Sequence, residues 1–159
     1  MKPKAVVDFA LQFGVQINLN PDCVVEQNGR FFIVNESLQP FLRGDFFFAG
    51  SFLGKVKGGK FFPSFILLAM LAKGEARRVV VDWKTAWLFI CGRDVFRKGM
   101  VRFYGSAKKN SNVLVLNEFG ECLGFGKIVA GAHGEAVKNE VVVRNVSDVG
   151  DFLRRERGL

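Results

Sequence analysis

Helical periodicity recurs through the first 75 residues of this 159-residue chain and then largely stops, and that change of pattern constrains the fold more than any other feature. Pro3 suits the first turn of a helix, and Ala5, Val6, Phe9, Ala10 and Phe13 follow at three- and four-residue spacing until Gly14 ends it. Strict alternation over Val15 to Leu19 predicts a half-buried strand, closed by Asn20-Pro21-Asp22. The sharpest local pattern comes next. Cys23 to Glu26 and Arg30 to Val34 flank Asn28-Gly29, whose residues accept the positive φ angles of a type I′ hairpin turn. A short helix over Glu36 to Leu42, a strand from Phe46 to Leu53, a glycine- and lysine-rich turn over Lys55 to Lys60, and a helix from Pro63-Ser64 through Ala72 complete the first half.

Beyond Lys73-Gly74-Glu75-Ala76 the pattern is one of short strands: Arg78 to Asp82, Trp87 to Cys91, Val101 to Tyr104, Val113 to Leu116, Cys122 to Val129 and Glu140 to Val146. Closely spaced strands separated by glycine turns predict a small barrel. A helical turn around Asp94 to Lys98 interrupts it, and Ser147 caps a final helix that runs to Arg157. Two domains follow, 1–75 and 76–159, in an α+β chain.

Charge is divided unevenly between them. Lys and Arg number 23 against 15 Asp and Glu; residues 1–75 hold eight of the bases and six of the acids, so most of the net +8 lies in the second half. Such an excess is an electrostatic footprint for polyanions. Arg93, Arg97, Lys98 and Arg102 surround the predicted turn and Gly99, while Lys138, Arg144, Arg154, Arg155 and Arg157 gather toward the chain end.

The chemistry-bearing motifs are few. Gly50-Ser51-Phe52-Leu53-Gly54-Lys55 has only three residues between its glycines and Val56 after the lysine, so it lacks both the spacing and the magnesium-holding hydroxyl of a phosphate loop; a strand bend or a close backbone approach explains the glycines better. His133 is the one histidine, set in Ala130-Gly131-Ala132-His133-Gly134 without an orienting carboxylate. Cys23, Cys91 and Cys122 form no CxxC pair, so neither a zinc site nor a disulfide framework is expected, and no metal, cofactor or catalytic residue is assigned. The paired phenylalanines Phe31-Phe32, Phe46-Phe47-Phe48 and Phe61-Phe62 read as strand residues with one ring inward and its neighbour outward. The longest apolar run, Phe61 to Ala72, is too short to span a bilayer, and the early Asp8 and Gln12 argue against a signal peptide; a cytoplasmic location is expected.

Two segments of the second half carry a resemblance. Leu88 to Val101, with Gly92 and Gly99 bracketing a short helix, resembles the opening of a PUA domain, and Val113 to Lys127 is similar to its central hairpin. The ending Val146 to Arg155 and the upstream Ala49 to Lys55, Lys60-Phe61 and Ala69 to Ala72 are similar to archaeal members of the Nip-seven family of large-subunit ribosome-biogenesis factors. A departure is that Lys84-Thr85-Ala86-Trp87 stands where many PUA domains carry a Pro-Gly-Ala-like turn.

The resemblance implies an N-terminal α/β domain of antiparallel sheet and helices, followed by a C-terminal PUA mixed β-barrel that binds RNA. It implies RNA contacts at Arg97, Lys98, Gly99 and Arg144, and through the terminal stretch at Arg154, Arg155 and Arg157; Lys138 joins them by charge and position. Pre-ribosomal or U-rich single-stranded RNA and large-subunit assembly proteins are the implied partners of a non-enzymatic monomer. The alternatives are an adaptor whose first domain binds an assembly partner through exposed phenylalanines, and an accessory to RNA modification.

Overall fold

The computed structural model describes residues 3–131, 137, 139–151 and 154. Helix α1 (Lys4–Leu11) ends at Gly14, whose φ of +75° suits a residue without a Cβ, and turns Val6, Phe9, Ala10 and Phe13 inward. Residues 15–20 join no sheet. Val15, Ile17 and Leu19 still alternate inward because the segment lies along the main core, so the predicted strand is a lining segment without a ladder.

The hairpin forms as its sequence dictates: β1 (Val24–Gln27) and β2 (Arg30–Ile33) are joined through Asn28 and Gly29 at φ +51° and +73°. Strands β3 (Ser51–Lys57) and β4 (Lys60–Pro63) complete an antiparallel sheet in the order β1-β2-β3-β4. Helix α2 (Phe65–Ala72) is capped by Ser64, whose hydroxyl accepts from Leu67 N–H at 3.1 Å and donates to the Phe52 carbonyl at 2.6 Å.

Further expectations change in this half, among them the turn expected over Lys55 to Lys60, which narrows to Gly58-Gly59 because its flanks are paired as the ends of β3 and β4. The helix over Glu36 to Leu42 shrinks to a 3-10 turn, Gln39–Phe41, because Pro40 has no N–H to extend it. The strand expected from Phe46 starts at Ser51 instead, since Phe46 and Phe48 fold back and set their rings 5.8 and 5.2 Å from that of Phe32. Consequently Phe31 and Phe32 are both buried, at 4% and 0% exposure: the main core covers one face of β2, and the loop that carries Phe46 and Phe48 covers the other.

The second half is a curled mixed sheet in the order β6-β10-β9-β8-β5-β7, of which only the β5–β8 ladder is parallel. Its strands are β5 (Arg78–Val81), β6 (Val95–Phe96), β7 (Met100–Tyr104), β8 (Asn112–Leu116), β9 (Cys122–Ile128) and β10 (Val141–Asp148). This curled half-barrel is consistent with the PUA mixed β-barrel that the resemblance implies. The strand expected over Trp87 to Cys91 is instead helix α3 (Trp83–Ile90), started by Asp82, whose carboxylate accepts from Thr85 N–H at 2.7 Å. The turn expected over Asp94 to Lys98 divides into β6 and a 3-10 turn, Arg97–Gly99. The final helix begins later than Ser147, because Ser147 and Asp148 still pair with Phe125 and Gly124 of β9.

The barrel interior holds Val79, Val81, Phe89, Val95, Val113, Val115 and Ile128. The larger core lies outside it and draws on both halves: Phe9 and Phe13 pack edge-to-face with Phe125 at 5.7 and 5.5 Å, and Leu67, Leu68, Leu114 and Leu116 pack in the same cluster. Arg77 fastens the rim of this contact. Its N–H donates to the Phe13 carbonyl at 2.9 Å, and its guanidinium donates to the carbonyls of Gln12 and Asn112 at 3.2 and 2.8 Å.

Candidate nucleic-acid interface

In an antiparallel ladder, directly opposed residues project to the same side, so the register of β9 and β10 decides which charges meet. Arg144 stands opposite Lys127. Both are exposed, and among the described residues neither makes an ion pair. Like charges in this position oppose folding unless an anion joins them.

A turn brings more cations to the same strand end. Ser111 N–H donates to the Lys108 carbonyl at 3.2 Å, with Asn110 in the left-handed region at φ +67°. The turn is pinned to β9 by Asn110 N–H donating to the Ile128 carbonyl at 2.8 Å and by Ile128 N–H donating to Ser111 at 3.0 Å. Exposed Lys108 and Lys109 thereby lie beside the residue that follows Lys127. Hydrogen-bonded neighbours, not sequence neighbours, build this cluster. Its legible trace in the sequence is a doubly basic turn, Lys108-Lys109-Asn110, just before a strand.

The residues named from sequence divide between this surface and internal work. Arg144 belongs to the cluster. Lys98 is exposed, its Nζ donating to Asn139 Oδ1 at 3.2 Å. Gly99 is buried against α3, where a Cβ would stand 1.8 Å from Thr85 Oγ1, and its carbonyl accepts from Asp82 N–H at 3.0 Å; it fixes the Arg97–Gly99 turn on the helix. Arg97 is spent on the fold: its side chain is 13% exposed, pairs with Glu140 at 2.9 Å and donates to the Gly131 carbonyl at 2.6 Å.

Arg154 is a fastening of the chain end. It donates to both oxygens of buried Asp148 at 3.0 and 2.8 Å and to the Ile90 carbonyl at 2.6 Å, and hydrogen bonding to Asp148 holds its pKa above the ordinary arginine value. Asn145 completes the network, donating to Asp148 at 3.1 Å and to the Phe89 carbonyl at 2.9 Å. Lys138, Arg155, Arg157 and His133 lie outside the described residues.

No group of three or more metal-ligating side chains occurs among the described residues. The glycines of the loop-like Gly50 to Lys55 segment sit on β3 and at its start. A Cβ at Gly50 would meet the Ile33 carbonyl at 2.1 Å and one at Gly54 the Phe62 carbonyl at 2.5 Å, which is the close backbone approach expected of them.

The three cysteines are unpaired. Burial pushes the Cys122 thiol up to about 11, from an ordinary 9.0. The folded state therefore holds this proton more tightly, and the resulting stabilisation is complete below pH 9 and lost as pH rises through 11. A thiol reagent at pH 8 is expected to label exposed Cys91 rapidly and Cys122 last, as mass spectrometry of timed digests would show.

Similar proteins bear on the family and the fold. The family described as UPF0113 PUA domain matches residues 77–157. A UPF0113 protein of Archaeoglobus fulgidus is 31% identical over 112 residues, which span 69% of this chain and 63% of that protein. Among solved structures, a conserved PUA domain protein from Thermoplasma acidophilum superposes with a TM-score of 0.61 at 22% identity, over 96% of this chain and 92% of that one. A hypothetical protein from Pyrococcus horikoshii gives 0.62 at 20%, over 98% and 96%. At these identities, the two structures establish a shared fold.

Proposed function

Since the chain belongs to the UPF0113 PUA domain family, we propose that it is a non-catalytic RNA-binding factor of large-subunit assembly, related to the Nip-seven family, that holds pre-ribosomal or U-rich single-stranded RNA by its phosphates. The opposed, exposed pair Lys127–Arg144 carries this reading, because a PUA barrel that sets two cations side by side, with no ion-pair partner among the described residues, suits an anion. Lys108 and Lys109 widen the surface, and Lys98, bonded to Asn139, lies just before the start of β10. Lys138, Arg155 and Arg157 remain in the proposal on the strength of charge and resemblance. So do large-subunit assembly proteins as partners, a cytoplasmic location and a monomeric state.

Phosphate neutralisation releases counterions, so affinity must fall with salt. Four contacts on single-stranded RNA correspond to a log–log slope of roughly −3, or about a 60-fold loss between 50 and 200 mM salt. Fluorescence anisotropy with a labelled U-rich oligonucleotide measures this directly. A flat salt response, or no binding at low salt, would sink the reading.

A further inference from the structure

A second site lies where the first sheet faces β10. It is a cleft of about 590 Å³, in the size range of small-ligand sites, and its lining includes Arg30, Phe47, Phe48, Lys55, Lys60 and Phe62. Arg30, Lys55 and Phe62 form one row across β2, β3 and β4, each the direct cross-strand partner of the next. Arg30 and Lys55 are thus a second like-charge pair set opposite each other, as Lys127 and Arg144 are.

The aromatic rings are arranged with these cations. The Arg30 guanidinium lies 4.6 Å over the Phe47 ring and donates to the Phe47 carbonyl at 3.0 Å, so the ring is held from one side. Phe47 nevertheless remains 78% exposed and Phe48 59%. Lys60 Nζ sits 5.5 Å over Phe62. An exposed ring backed by a cation and flanked by lysines matches a flat aromatic group that carries a negative charge.

The cleft is also continuous with the Lys127–Arg144 row. Its far wall is Phe125 with Ser147, the pair on β9 and β10 that lies two residues along β9 from Lys127, on the same face of that strand. At about 3.3 Å per residue, Arg144 and Ser147 are roughly 10 Å apart along β10. A strand held by its phosphates at Arg144 therefore reaches the cleft without crossing to another face.

We propose that this cleft takes a base of the bound single-stranded RNA, stacked on Phe47, with the adjoining phosphate on Lys55 and Lys60. The inference rests on the RNA-binding reading above, and the experiment separates the two. Phe47→Ala removes a mostly exposed ring, so circular dichroism and the melting temperature are expected to be unchanged. Its affinity for the U-rich oligonucleotide is expected to fall roughly ten-fold, as for loss of one stacking platform, with the salt slope preserved. Lys55→Ala is expected to make the slope shallower by about 0.7.

If the parent protein binds RNA with the stated slope and both variants match it, the cleft assignment is overturned while RNA binding stands. If the parent does not bind RNA, the underlying reading fails first. A titration with uridine monophosphate gives the remaining arm: saturation by the free nucleotide without RNA binding would overturn the RNA assignment and mark a mononucleotide site. Displacement of bound RNA by the nucleotide in the parent, but not in Phe47→Ala, supports the proposal.

Discussion

Phe125→Ala is expected to destabilise the whole chain by about 3–5 kcal/mol, the usual cost of emptying a buried phenylalanine site. Phe125 is 6% exposed, and its ring packs edge-to-face with those of Phe9 and Phe13 from the first half while its backbone pairs with β8 and β10 of the second. The cavity would open where the halves share a core, so neither can keep its stability while the other loses it. Calorimetry should show one transition, lowered by roughly 6–20 °C. Phe119→Ala, at an 89% exposed site, should leave the midpoint almost unmoved. Two separate transitions, with only one of them shifted, would contradict the shared core.

Lys127→Glu is expected to change stability and RNA binding in opposite directions. It replaces a like-charge pair with Glu opposite Arg144, a change worth up to about 1 kcal/mol in favour of the fold. The same change removes one phosphate contact and places a carboxylate in the anion's path, lowering affinity for the U-rich oligonucleotide by roughly ten-fold at low salt. Adding Arg144→Glu restores repulsion between the two positions and deepens the loss to roughly 100-fold. A purely structural role for Lys127 would lower stability and binding together, so denaturant titration beside anisotropy separates the cases.

What the sequence encodes locally is recovered locally. Asn28-Gly29 specifies its turn, and Ser64 caps α2 by a hydroxyl three residues from the N–H it accepts. Helix α3 escapes detection because Trp83, Trp87 and Leu88 are apolar yet exposed at 76%, 62% and 40%, which removes the polar face that periodicity relies on; the informative residue is the cap, Asp82. Ser147-Asp148 has the look of a helix start, but Asp148 is buried at the end of β10 to receive Arg154.

The candidate site divides in the same way. Arg144 can be singled out by charge. Its partner Lys127 cannot, because the pairing depends on register between strands that a loop separates. Nor does composition distinguish a free arginine from Arg97, whose acid lies 43 residues away at Glu140. The aromatic-cationic cleft is still less legible, since it needs β2, β3 and β4 side by side and the return of Phe47 over the sheet.

The fastening at Arg77 has a mechanical consequence. Asn112, beside Lys127 in the β8–β9 ladder, donates to Gln12 at 2.8 Å, and Arg77 ties the backbone of both residues together. The end of α1 and the barrel are thus joined by packed rings and by hydrogen bonds to shared backbone carbonyls. On the proposed binding mode, an RNA strand that touches both the Lys127–Arg144 row and the cleft would meet two surfaces already joined by these contacts, a preorganisation that lowers the ordering cost of binding.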